Sequence, residues 1–375
     1  MLTLKLRSRL SAYSRCLISL LSGLALAGTA HAQSSLSLYG IIDSGIEYVN
    51  NVGASRSAVF RTPQITGSLP SRWGVRGKED LGGGLSTVFV LESGFATGQG
   101  SLNQGGRLFG RQAYVGISSE TWGTLTFGRQ YSQIYWGLIG DTLAPNLFAA
   151  GVLDGYLFNS RDDNAIVWSR SIQALTLGVT YSLGRDQVAS AAAGGCAGES
   201  PADWKACKAM SAMLKYDPGT WGIAAVFDRN IGGGGAGSPL PSSSQSDTRY
   251  VIDGYFKLRT LTVGGGLIHR VNEASPNPTS NYWFGGASYT PLPQIAFDAQ
   301  YGLLRVRGVS AGASVIAVRA MYQLSKSSAT YVTVGRVFNQ AQAAFTIDGG
   351  NATTSSNPAL GVNQTGVMVG MRHLF

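Results

Sequence analysis

From residue 36 onward the chain alternates apolar with polar residues in segments of about ten, the length a tilted strand needs to cross a bilayer. A period of two sends successive side chains to opposite faces, so each segment has an apolar and a polar side. In 36–49 one parity reads Leu36, Leu38, Gly40, Ile42, Ser44, Ile46 and Tyr48, and the other carries Asp43 and Glu47. Segment 72–78 gathers Arg72, Arg76 and Lys78 on one face, and 250–258 sets Asp253 and Lys257 opposite Ile252 and Phe256. Sixteen such segments run to Phe375, with alternately short and long connections. Tight turns fall near 80–84, 217–219, 290–293 and 324–328. A soluble sandwich would keep charges at strand tips rather than repeat them mid-strand on one face, and a solenoid would show a fixed repeat. The pattern predicts an all-β chain, a transmembrane antiparallel β-barrel of sixteen strands with short turns on the periplasmic side.

The first 32 residues read as a cleaved signal peptide. Lys5, Arg7, Arg9 and Arg15 precede the apolar run 17–27, and Ala30-His31-Ala32 is an A-x-A cleavage site. The barrel domain is then 33–375. Losing four positive charges and no acid takes the formal charge from +9 to +5, with no Lys/Arg stripe for nucleic acid. No later run of eighteen apolar residues could make a spanning helix, although 44% of the chain is hydrophobic and 13% charged. The two cysteines left after cleavage, Cys196 and Cys207, sit in a long connection of an exported chain and are expected to form a disulfide.

Residues 132–163 break the alternation. The stretch is apolar (Trp136, Leu138, Leu143, Leu147, Phe148, Leu153, Tyr156, Leu157, Phe158), with Asp141, Asp154, Asp162 and Asp163 as its acids. So apolar a loop must pack against something. Pro145-Asn146 would open a helical piece that Asp154-Gly155 ends. Segments 107–118 and 123–132 make a hairpin of less clean parity, where Phe127 shares a face with Arg129, which predicts a bulge or a face packed on another subunit.

Several blocks resemble the trimeric general porins of Gram-negative bacteria, of the beta-proteobacterial and neisserial type. They are Leu38-Tyr39-Gly40 with Asp43, the run from Ser71 to Leu85, and Leu91-Glu92-Ser93-Gly94-Phe95. Phe109-Gly110-Arg111-Gln112-Ala113-Tyr114-Val115-Gly116, Gly128-Arg129-Gln130, Tyr322-Gln323-Leu324-Ser325-Lys326 and the run from Val369 to Phe375 continue the match in order. The resemblance implies an outer-membrane homotrimer, surrounded by outer-membrane lipid, that lets small hydrophilic solutes and ions diffuse passively. It implies that the third loop folds into the lumen, and that Phe375 is read by the outer-membrane assembly machinery. This third loop is richer in Leu, Phe and Ala and poorer in acids than the family's, and 161–168 matches only loosely, which predicts a narrower or less polar pore.

The pore constriction is expected to comprise Arg72, Arg76, Arg107, Arg111 and Arg129 on the wall, with Arg161 where the loop rejoins it. Asp141 and Asp154 are expected opposite, with Asp162 or Asp163 beside Arg161. Each arginine alone could be a rim residue paired with a nearby acid. As a group they argue more strongly, since an arginine aimed at lipid mid-strand costs ~2–4 kcal/mol. Excess cations in the lumen predict a modest anion preference. No cofactor, metal or catalytic motif stands out. His269 and His373 lie in no metal-ligand spacing, and the run 232–235 lacks the lysine of a phosphate loop. Alternatives are a substrate-selective channel, an adhesin or receptor on the long loops, and a hydrolase using a serine near His269 or His373.

Overall fold

The computed structural model describes residues 34–65, 67–143, 148–186, 196–233, 240–348 and 356–375; the expected signal segment lies outside them. Sixteen strands close one antiparallel sheet: β1 (Ser35–Val52), β3 (Arg72–Gly82), β4 (Leu85–Ala96), β6 (Gln112–Ser119), β7 (Gly123–Tyr131), β8 (Arg161–Ile172), β9 (Leu175–Ser182), β10 (Ala209–Tyr216), β11 (Trp221–Ile231), β12 (Ser246–Leu258), β13 (Leu261–Asn272), β14 (Thr279–Leu292), β15 (Ile295–Val306), β16 (Ala313–Gln323), β17 (Ser328–Asn339) and β18 (Gln364–Leu374). Two short strands, β2 (Ser57–Arg61) and β5 (Ser101–Leu102), lie in the long connections. The seam is made by β1, which pairs with β18 from Ile41↔Leu374 to Val49↔Gly366 and with β3 from Ser35↔Lys78 to Ile41↔Arg72. Closure satisfies every strand's backbone within the sheet and leaves no edge exposed to lipid.

Alternation sorts the faces. Ile223, Ile252, Val263, Ile316 and Val332 point outward and stay exposed, while their neighbours Ala224, Val251, Ala317 and Tyr331 are buried inside. Exposed aromatics gather at two levels. Trp221, Phe256, Tyr289, Tyr322 and Phe375 lie near the short turns, and Tyr250, Trp283, Tyr301 and Phe338 lie nearer the long loops. Such girdles flank the apolar band of a membrane barrel, where ring and polar tip meet different solvents.

Three local expectations take a definite form in the structure. Strand β6 begins at Gln112, not at 107, so Arg107 and Arg111 precede it. The expected bulge is present, but on β8: against β7 the register jumps from Gly128↔Ala165 to Gln130↔Asp162, while Phe127 and Arg129 stay in regular pairing with β6 and share one face. The one extra residue sits on β8, where Asn164 takes φ +49°, and it shifts the lumen-facing parity from Asp162 to Ala165. The third loop holds helical pieces at α1 (Gln133–Gly137) and α2 (Tyr156–Asn159) and a 3-10 turn at Ala150–Val152. Residues 144–147 lie outside the described residues; the 3-10 turn ends just before Asp154, and α2 follows Gly155, with Asp154 Oδ1 accepting the Tyr156 N–H at 3.2 Å.

Candidate functional site: the barrel interior

The third loop begins and ends together, with the Ser132 N–H donating to the Ser160 carbonyl at 2.9 Å. Between them it touches one inner strand face after another. The Gln133 side chain donates to Thr180 Oγ1 on β9 and its N–H to Ser211 Oγ on β10, each at 2.9 Å. The Gly140 N–H donates to Asp253 Oδ2 on β12 at 2.9 Å, and Thr142 Oγ1 donates to the Ala299 carbonyl on β15 at 3.2 Å. Arg319 Nη1 on β16 reaches the Leu143 carbonyl at 3.4 Å, and Phe148 is fully buried over Gly335 of β17 and Gly366 of β18.

At Gly140 the approach is backbone to backbone. A Cβ there would stand 2.6 Å from the Gly254 carbonyl oxygen and 2.7 Å from that of Gly265. Glycine on both loop and wall is what permits this contact.

The apolar character of the loop now has its cause. Ile134, Leu143, Phe148, Val152, Leu153 and Leu157 form one core with wall residues that include Met213, Val226, Ile268, Val315 and Met368. Each large side chain so buried contributes about 1.5–3 kcal/mol. The loop is therefore seated on the β10–β18 wall by hydrophobic contact.

One ion pair fixes its far end. Asp154 Oδ2 accepts from Arg249 Nε at 2.7 Å and Oδ1 from Nη2 at 3.0 Å, a bidentate pair, while Arg249 Nη1 also donates to Asp247 at 3.0 Å. Asp247 in turn takes two bonds of 2.8 Å from Arg270. Burial pushes the Asp154 carboxyl up, but Arg249, and after it Arg270, outweigh burial and hold it down at about 2.

The other wall is basic. The lumen parity of β3 carries Arg72 and Arg76; Arg76 lies over the Tyr39 ring at 5.4 Å, and Arg72 Nε is 3.7 Å from Glu92 Oε2. The same Glu92 accepts from Arg111 Nε at 2.7 Å and from the Tyr39 hydroxyl at 3.0 Å. Arg161 stacks on Tyr131 at 4.6 Å and donates to its hydroxyl at 3.2 Å, and Arg111 also donates to that oxygen. Arg72, Arg111 and Arg161 thus line one pocket with Tyr131, Tyr135 and Asn159.

The residues expected at the constriction separate into groups. Arg72, Arg76, Arg111 and Arg161 come together on this wall. Arg107 and Arg129 instead hold Asp163, at 2.9 and 2.6 Å, and Asp186, at 2.8 and 3.3 Å. Arg129 shares the outward parity of the half-exposed Phe127, so this four-membered cluster lies off the lumen. Asp154 lies with Arg249 rather than across from the early-strand arginines. Asp141 accepts from Gln300 Nε2 at 2.8 Å, and Asp162 is buried beside Gln130. Sequence reasoning missed Glu92, Tyr39, Tyr131, Asp186 and Arg249. Glu92 had a signal, since it lies mid-strand on the polar parity of β4. Cys196 and Cys207 are joined in a disulfide in the connection from β9 to β10.

A closed sixteen-stranded barrel, apolar outside and charged within, defines an outer-membrane channel. The chain belongs to the Gram-negative porin family, whose model matches residues 18–342. It is 33% identical over 301 residues to an outer membrane porin protein of Bordetella pertussis, covering 76% of this chain and 74% of that one. It is 26% identical over 378 residues to outer membrane porin protein 32 of Delftia acidovorans, covering 95% and 98%. The anion-selective porin from Comamonas acidovorans superimposes with a TM-score of 0.75 at 21% identity, covering 92% of this chain and all of that one. The trimer form of OmpT from Vibrio cholerae gives 0.64 at 13% identity. The protein is an outer-membrane porin, a water-filled channel for passive diffusion of small hydrophilic solutes and ions.

Proposed function

We propose that the narrowest section lies between the seated third loop and the wall of Arg72, Arg76, Arg111 and Arg161, and that it prefers anions. The observation that carries this reading is an imbalance: four guanidiniums on that wall face one bonded carboxylate, Glu92, among the described residues. Arginines cannot shed their protons to relieve mutual repulsion, so the wall keeps its charge at any physiological pH. The loop's own acids are engaged elsewhere, Asp154 by Arg249 and Asp141 by Gln300. Chloride and small carboxylates are concentrated there, and salt screens the effect. The same sign of selectivity is described for the Comamonas porin. The test is the zero-current potential across a bilayer under a potassium chloride gradient. Wild type is expected to favour chloride, Arg72→Ser with Arg76→Ser to move the potential toward cations, and Arg107→Ser to leave it in place. Cation selectivity in the wild type sinks the proposal.

We read the assembly as a homotrimer. The wall is lowest from β6 to β10, where β6, β7, β9 and β10 have 8 or 9 residues against 11 to 14 from β11 to β18. A low wall suits a protein neighbour better than a full bilayer. A trimeric relative fits this reading. Cross-linking in detergent should yield a species three times the monomer, and single-channel steps should come in threes; a monomer alone refutes it.

We also read the protein as a channel without enzymatic activity. The hydrolase alternative would rest on Ser328 Oγ and His373 Nδ1, 2.9 Å apart on an exposed turn. That pair has no enclosing pocket or carboxylate among the described residues. Purified protein is expected not to hydrolyse nitrophenyl esters, and turnover lost in Ser328→Ala would restore the alternative.

A further inference from the structure

A second cavity, of about 220 Å³, opens inside the barrel on the short-turn side of α1. Trp136 stands over it, 48% exposed although it belongs to the inward loop. Its ring is braced from behind by Tyr131 and Tyr135, which stack at 3.8 Å and meet the indole edge-to-face at 5.8 and 5.0 Å. An indole so fixed, with a free surface, is a preformed platform for another ring. The cavity is adequate in size, since about 150 Å³ suffices to hold a benzene ring. Its walls carry amides and hydroxyls from the inner faces of β6 to β9, such as Gln112, Tyr114 and Thr176, which offer hydrogen bonds to a polar edge, beside the apolar Val167 and Met213. Its single charge is Lys215, which forms no ion pair among the described residues, and no acid lines it.

We propose that this cavity is a subsite for a small aromatic carboxylate, its ring on Trp136 and its carboxylate toward Lys215. The proposal rests on the anion-preferring reading above, because solutes reach the cavity past the arginine wall. Stacking supplies selection for a ring, and the Lys215 ammonium supplies selection for negative charge. The occupant leaves readily, as passive flux requires, because only one face of its ring and one charge are held.

The test uses the full porin in planar bilayers at fixed potassium chloride, with benzoate titrated against acetate, which lacks the ring, and benzamide, which lacks the charge. Benzoate is expected to lower conductance saturably, with acetate and benzamide each needing about tenfold more. Trp136→Ala should raise the half-saturating benzoate concentration about tenfold, Trp136→Phe should largely restore it, and Lys215→Gln should make benzoate behave as benzamide. Equal effects of benzoate and acetate, or a titration unmoved in Trp136→Ala, overturn the subsite. If Trp136→Ala does not fold, the Phe and Lys215 variants decide. The zero-current potential in the same membranes separates the failures. Chloride selectivity without ring discrimination removes the subsite alone, and cation selectivity removes the underlying reading.

Discussion

Single residues decide how the interior is held, and Asp154 shows it best. A carboxylate buried with two arginines within reach stabilises the loop only while ionised. Its folded value, about 2, lies below the ordinary aspartate value of 3.8. The stabilisation is therefore full above the unfolded value and is lost as pH falls through about 2; it amounts to about 2 kcal/mol. Asp154→Ala takes the bidentate partner from buried Arg249 and leaves it Asp247 alone, and is expected to cost about 1.5–3 kcal/mol at neutral pH. The measurement is the temperature at which the folded band in detergent gels shifts to unfolded mobility, together with protease cutting in the loop. Unchanged cutting would show that the pair does not anchor it. The arginines illustrate the limit of reading residues singly. Their number and parity were legible, but their partners were not. Arg129 finds Asp186 57 positions away, and Asp154 finds Arg249 95 positions away. Nothing local to the sequence sorts the arginine that meets Glu92 in the lumen from the one that meets Asp163 off it.

At the scale of elements, the strands were legible because burial on one face imposes a period of two, and that period survives in nearly every segment. It failed at two places for physical reasons. Arg107, Phe109 and Arg111 set against Leu108 and Gly110 mimic a strand segment, but β6 proper starts only at Gln112. The bulge at Asp163 and Asn164 inverts parity within one strand, which no periodic reading can carry through. The third loop was recognisable as packed, but not what it packs on, because its seat is built from glycines on strands far along the chain. That seat gives a sharp prediction. Gly140→Ala would force its Cβ into the carbonyls of Gly254 and Gly265 and should lift the middle of the loop from β12 and β13. Larger open-channel noise and faster loop proteolysis are expected, with the barrel's own melting little changed. A quiet channel of wild-type conductance would mean that the loop tolerates the shift.

The whole molecule is closed by its two ends. The Gly40 N–H donates to the Phe375 carbonyl at 2.9 Å, the Phe375 N–H donates back to Gly40 at 3.1 Å, and the terminal ring lies where a side chain at Gly40 would be. The residue expected to serve as the assembly signal is thus also the last stitch of the wall. The timing of synthesis follows from this geometry. The wall is not closed until β18 meets β1, and bringing together strands so far apart in sequence costs roughly 5 kcal/mol of chain entropy. Until then the first and last strands are open edges that can pair with any other strand presented to them. A chain that loses β18 keeps both of its neighbours, β1 and β17, as open edges.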